Sequence, residues 1–191
     1  MEEHKIGDLY QDSFDILKNN VVVCIVNTII AFISIILCAI TIIGLLAIPA
    51  IVGGYLYSFS RMINGEKVDI GDFFKNGFNK FGKLLGVSIL STIGILLGFI
   101  CFIIPGFYLL TRWFFVFYLI MDKDVGISEA FEYSWKMSDG IFWNIFVIII
   151  LNAIINAIGE TLVIGLLLTT PLTYIVVWKY YFQRLDIMSR D

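Results

Sequence analysis

The sequence predicts an all-α, polytopic membrane protein with six transmembrane helices, built as three tandem units of a cytoplasmic amphipathic helix followed by a transmembrane hairpin. Three observations carry this expectation. Of the 191 residues, 59% are hydrophobic and 15% charged, with a mean hydropathy of +0.91. The few charges are spaced so that three long blocks are nearly free of them, and a segment of one repeated pattern stands before each block. Soluble domains run at about 45–50% apolar and about 25% charged, so the composition argues against a soluble globular chain. A net charge of -3 gives no general attraction for nucleic acid.

From Val21 to Ser60 there are 40 residues without a charge; Leu84 to Met121 is 38 residues with Arg112 the only charge, and Gly140 to Trp178 is 39 with Glu160 the only charge. A helix needs about 20 residues to cross about 30 Å of hydrocarbon, so each block is of hairpin length. Lipid offers no partner to an open backbone group, which makes continuous spans of this length helical. The hairpin turns are expected near Ile40 to Gly44, Phe102 to Pro105 and Ala157 to Thr161.

Those turns contain no Lys or Arg. Twelve of the 13 basic residues, from Lys5 through Arg190, flank the blocks, and only Arg112 falls inside one. Basic residues collect in short cytoplasmic loops, so both termini are expected in the cytoplasm, with three short outer loops. Tyr57, Tyr118, Trp143, Trp178 and Tyr180 stand where aromatic anchors of the inner interface are expected, and Lys179 is placed to snorkel toward headgroups. The first apolar run is too long for a signal peptide and lacks a basic region before it. Cys24, Cys38 and Cys101 fall inside predicted spans and read as packing residues.

Before the blocks, Ile6, Leu9, Tyr10, Ser13, Phe14 and Leu17 stand at i, i+3, i+4, i+7, i+8 and i+11, and so do Ile70, Phe73, Phe74, Gly77, Phe78 and Phe81. Ile127, Ala130, Phe131, Ser134, Trp135 and Ser138 make the third set. This spacing is one face of a helix. Opposite it lie polar residues such as Asp8, Asp12, Asp72, Asn76, Glu129 and Glu132, so each segment is expected to lie along the cytoplasmic interface. Ser128 is a candidate cap of the third helix. The chain therefore forms a single integral membrane domain over 1–191, with pseudo-repeats at 6–63, 70–121 and 127–185. Pro49, Pro105 and Pro171 fall one to each hairpin, in its second helix, while Gly53, Gly54 and the pair Gly94 and Gly98 mark close helix packing.

An ionisable residue inside a span marks a site or a pairing. Arg112 is about 12 Å below the outer turn at 1.5 Å per residue. Asn144, Asn152, Asn156 and Glu160 are spaced by multiples of four on the fifth span, with Asn152 expected at the depth of Arg112. The expectation is an intramembrane polar cluster of Arg112, Asn152, Asn156 and Glu160. Chemistry is otherwise sparse. His4 is the sole histidine, and no phosphate-binding glycine motif or GxSxG nucleophile motif is present. No catalytic residue, cofactor or metal is expected. Asp122 and Asp124, either side of Lys123, read as a solvated loop.

The run Ile104-Pro105-Gly106-Phe107-Tyr108-Leu109-Leu110-Thr111-Arg112-Trp113, then Asp122-Lys123, Ile127-Ser128-Glu129-Ala130-Phe131-Glu132-Tyr133-Ser134-Trp135 and Gly140-Ile141-Phe142-Trp143, carries a family likeness. It resembles bacterial and archaeal six-helix membrane proteins of unknown function, related to the membrane domain of some glycerophosphodiester phosphodiesterases. About 40 residues carry the likeness strongly, and no phosphodiesterase domain accompanies them. The resemblance implies the six-helix fold and a prokaryotic plasma membrane, and transfers no catalytic residue. Two functions follow as expectations. One is a non-enzymatic scaffold or accessory protein that meets the lipid bilayer and a cytoplasmic or membrane protein partner through its amphipathic helices. The other is a permease or lipid-handling protein with an interior site around Arg112 and the Asn152, Asn156 and Glu160 face. The two differ in the interior, which is apolar and filled in the first and a polar cavity reaching Arg112 in the second.

Overall fold

A computed structural model describes residues 6–39, 42–161 and 163–189. His4, Lys5, Arg190 and, within the first expected turn, Ile40 and Thr41 lie outside the described residues. Ten helices run in order: α1 Ile6–Asn19, α2 Val21–Ala39, α3 Ile42–Ile63, α4 Ile70–Asn79, α5 Phe81–Cys101, α6 Ile103–Arg112, α7 Val116–Lys123, α8 Ile127–Met137, α9 Phe142–Glu160 and α10 Val163–Met188.

Among the described residues, five stretches are long and apolar enough to cross a membrane: Val21–Ala39, Gly44–Ile63, Phe81–Cys101, Ile103–Lys123 and Phe142–Glu160. The sequence predicts six; α10, 26 residues long, is not among the five. The three pairings expected of hairpins are present, with α2 on α3, α5 on α6 and α9 on α10. Glycines set the closest approaches. In α5, Gly94 lies under the Trp113 ring and Gly98 meets the Gly106 backbone, so a side chain at Gly94 would displace that ring and one at Gly98 would displace α6.

α3, α7 and α10 are central, while α2, α5, α6 and α9 are peripheral. Of the apolar stretch in α3, 56% is buried, against 22% in α2 and 17% in both α5 and α9. These last three show exposed rows at helical spacing: Val22, Val26, Ile29, Ile33 and Ile36; Ile89, Ile93, Leu96 and Ile100; Trp143, Val147, Ile150, Ile154 and Ile158. The centre is aromatic. Tyr55 and Phe59 of α3, Tyr118 of α7, and Tyr174, Trp178 and Tyr181 of α10 pack edge-on or tilted at centroid distances of 4.7–6.2 Å. The Trp178 indole N–H donates to the Leu56 carbonyl at 2.9 Å. Tyr118, Trp178 and Tyr180 are thus core residues and not the interface anchors expected of them; Trp143 alone of that set is strongly exposed, at 71%.

The amphipathic helices begin where the periodicity places them, at Ile6, Ile70 and Ile127. Their buried stripe is narrower than the template. Positions i+3 and i+7 are buried in all three (Leu9 and Ser13, Phe73 and Gly77, Ala130 and Ser134), whereas i+8 is 55%, 48% and 40% exposed at Phe14, Phe78 and Trp135. At 100° per residue, i+8 lies well round the helix from i+3 and i+7, at the rim of the face. Each amphipathic helix docks on a helix outside the pair that follows it: α4 on α3, α8 on α7, and α1 on α10. Gly77 is pressed against the Ala50 carbonyl and the Gly54 amide, and Gly54 against the Phe73 carbonyl. The cap of α8 is Gly126, whose N–H donates to Glu129 at 2.9 Å, so Ser128 lies inside the helix and does not cap it.

The second span of the middle pair is interrupted between α6 and α7, at residues 113–115. α8 repairs the break. Ser134 donates to the Arg112 carbonyl at 2.8 Å and accepts from the Phe115 N–H at 3.2 Å, and Ser138 reaches the same carbonyl at 3.0 Å. A buried polar group without a partner costs about 1–3 kcal/mol. Ser134→Ala strands the Phe115 N–H while the Arg112 carbonyl keeps Ser138, and thermal unfolding in detergent should show a loss of about 1–3 kcal/mol, against under about 1 kcal/mol for Ser189→Ala at the exposed end of α10.

Candidate functional site

Arg112 ends α6, where a cation complements the helix dipole. Its guanidinium sits against the edge-to-face pair of Tyr108 and Trp135, 5.1 Å from each centroid, and Nη1 donates to Asp139 Oδ1 at 3.0 Å and to the Trp135 carbonyl at 3.3 Å. The Arg112 side chain is 12% exposed and that of Asp139 77%. Arg112 Nε is buried without a partner. The geometry pins α8 to α6 through cation–π contact and a charge-assisted hydrogen bond.

The expected cluster is not assembled. Asn152 accepts a hydrogen bond from the Tyr10 hydroxyl of α1 at 2.7 Å. Asn156 donates to Thr173 of α10 at 3.3 Å, and Glu160 is exposed at the end of α9. None of the three meets Arg112 through the hydrogen bonds it makes. The reason is level as well as direction. α6 touches α9 through Phe107 on Phe146 and Tyr108 on Phe142, so Arg112 lies near the start of α9. Asn152 is ten residues, about 15 Å, further along. Burial pushes the Tyr10 hydroxyl well above its ordinary pKa, which keeps it protonated as donor to Asn152.

Three further polar clamps escaped the sequence reading. Lys179 pairs with Asp12 of α1 at 2.6 Å, closing α10 onto α1, and so does not snorkel freely. Asp122 accepts from Tyr181 at 2.9 Å. Two lysines at the start of α5 close the C-terminus of α7: Lys80 donates to the Ile120 and Met121 carbonyls at 2.9 and 3.0 Å, and Lys83 to the carbonyl and carboxylate of Asp124 at 2.6 and 2.9 Å. Asp124 itself is left-handed, at φ 53°, a conformation Asp and Asn tolerate better than most residues. Asp122 and Asp124 are therefore clamps and not merely a solvated loop. No sequence signal pairs Asp12 with Lys179, but an Asp one residue past a helix end, with lysines at a neighbouring helix start, is a recognisable cap pattern.

The Lys83 hydrogen bond, aided by the Lys80 and Lys83 charges, holds the Asp124 carboxyl below its usual range. A depressed folded pKa stabilises the fold above the unfolded value, near ~3.9, and that contribution is lost as the pH falls through the lower folded value. The carboxylate is largely exposed, so solvent screening keeps the effect to no more than about 1 kcal/mol. Asp124→Asn, which tolerates the same φ, should lower the unfolding temperature slightly at pH 7 and converge on the parent as the pH falls through the lowered folded value. A difference that persisted in acid would show that the charge is not what clamps α7.

Among the described residues there is no group of three or more His, Cys, Asp or Glu side chains that could hold a metal ion. The polar contacts of Arg112 with the Trp135 carbonyl and Asp139 tie α6 to α8 and the turn that follows it. No protein-family model, curated protein or solved structure matches the chain.

Proposed function

We propose that this chain is a non-enzymatic integral membrane protein that acts as a scaffold or accessory factor through its amphipathic helices, with α10 as a sixth span and the three helix pairs as tandem units. The observation that carries the proposal is the packed aromatic centre of Tyr55, Tyr118, Tyr174, Trp178 and Tyr181, which fills the middle of the bundle where a permease needs a polar path. Arg112, engaged by Asp139 and two rings, serves as a pin in this reading. The docking of α1, α4 and α8 on α10, α3 and α7 supports the tandem-unit arrangement. Asp8, Gln11 and Asp15 of α1, and Glu129, Glu132 and Lys136 of α8, are exposed on the outer faces of their helices, where a partner would meet them.

The deciding experiment pairs a flux assay in proteoliposomes with a crosslinking survey of partners. A tight bilayer together with a specific partner is expected; solute flux abolished by Arg112→Ala would overturn the scaffold reading. The basic residues flanking the spans, and the resemblance to prokaryotic six-helix proteins, support a prokaryotic plasma membrane with both termini inside. Cys101 tests the orientation. It is exposed at the tip between α5 and α6, whereas Cys24 is buried. A membrane-impermeant maleimide should label Cys101 from the outer side of sealed cells; labelling only from inverted vesicles would reverse the topology.

A further inference from the structure

We infer that the bundle carries two binding sites for lipid acyl chains, set in equivalent grooves of its first and second helix pairs. The inference deepens the membrane reading above and rests on it. Burial aligns α2, α5 and α9. Cys24 and Asn27 of α2, Leu84 and Val87 of α5, and Ile145 and Ile148 of α9 are their inward positions, at offsets of 60 and 121 residues.

In the first pair a groove of about 170 Å³ is lined by Thr28, Ala31, Phe32 and Ile35 of α2, with Tyr55 of α3 and Tyr174 of α10. Sixty residues on, Ser88, Ser91, Thr92 and Ile95 of α5 line a wider groove of about 360 Å³ with Phe117 of α7. The corresponding residues of α9 are Ile149, Asn152, Ala153 and Asn156. Here both asparagines are tied across to neighbours, Asn152 to Tyr10 and Asn156 to Thr173. The same position in the repeat is thus bridged by polar contacts in the third pair and left as a groove in the other two.

The chemistry of the first groove selects an apolar guest. Thr28 Oγ1 donates to the Cys24 carbonyl at 2.7 Å, so the Tyr55 hydroxyl, 2.8 Å away, is the donor to Thr28. These hydroxyls satisfy each other, and a trapped water needs two to four polar partners. The turns of α2 that line the groove also carry the exposed Ile29, Ile33 and Ile36, the row that faces lipid in the proposed arrangement. From Thr28 to Ile35 the groove runs about 10 Å, shorter than the roughly 15 Å of hydrocarbon in one leaflet. A chain segment fits that length. An empty groove would leave its lining without dispersion partners, a loss that a methylene chain from the adjacent leaflet restores.

The test uses the full chain in vesicles of phosphatidylcholine whose acyl chain carries a diazirine, with adducts mapped by peptide mass spectrometry. Adducts are expected at Phe32, Ile35 and Tyr174 and at Thr92 and Phe117, as well as on the outer row Ile150, Ile154 and Ile158 of α9. Ile35→Trp, which fills the first groove from its partly exposed end, should abolish the adducts at Tyr174 while sparing Phe117 and the outer row; Thr92→Trp should do the reverse for the two grooves. Adducts on the outer row but none in the grooves, or groove adducts indifferent to both fillings, would overturn the acyl-chain sites alone. No adduct on any helix would overturn the membrane reading and this inference with it.

Discussion

Replacing Gly77 by leucine is expected to abolish recovery of the folded protein. A Cβ at Gly77 would collide with the backbone of Ala50 and Gly54, and backbone on both sides cannot yield as a side-chain tip can. Overpacking costs about 1–3 kcal/mol where neighbours can shift and more where they cannot, against a total stability of about 5–15 kcal/mol. α4 would have to leave α3, exposing Phe73, which is fully buried. Gly82→Leu is the matched control, because a Cβ there meets nothing within 4 Å. The measurement is the yield of monodisperse protein in mild detergent. Equal yields for the two variants would show that α4 does not dock where the structure places it.

Arg112→Leu is the second large effect. It removes two cation–π contacts, each about 0.5–2 kcal/mol at a partly desolvated site, and a charge-assisted hydrogen bond to Asp139. The expected loss is about 2–3 kcal/mol, seen as a lower unfolding temperature with the bilayer of reconstituted vesicles still tight. Asp139→Asn should cost under about 1 kcal/mol, because that carboxylate is 77% exposed and its partner keeps both rings. The asymmetry is diagnostic. Equal losses would place the energy in the ion pair and not in the two ring contacts.

What could be read in the sequence followed from periodicity. The starts of α1, α4 and α8 at Ile6, Ile70 and Ile127 came from apolar spacing, and the helix pairs from charge-free blocks. Glycines read as packing surfaces became contacts at Gly94 and Gly98. Arg112 was singled out correctly as a residue needing partners, but the partners were wrong. Counting residues from a turn gives depth only along straight helices that share a level, and the break at residues 113–115 contains no Pro or Gly to announce it. The two serines that accommodate it sit about 20 residues away in α8. Aromatics misled for a related reason. Near an inner helix end, a Trp facing lipid and a Trp facing the bundle axis occupy the same kind of sequence position, so Trp178 looked like an anchor until its neighbours were known.

The docking of α1 on α10 bears on the order in which the chain can be completed. α4 and α8 each find a docking surface already synthesised, on α3 and α7, whereas the surface for α1 is among the last to be made. The Asp12 to Lys179 pair spans 167 residues. During synthesis α1 is made before α10, so its apolar stripe stays uncovered until α10 arrives and closes the contact. Loop-closure entropy grows only slowly with length, so the closure is late without being prohibitively costly, and a chain cut short before α10 leaves α1 without its docking surface.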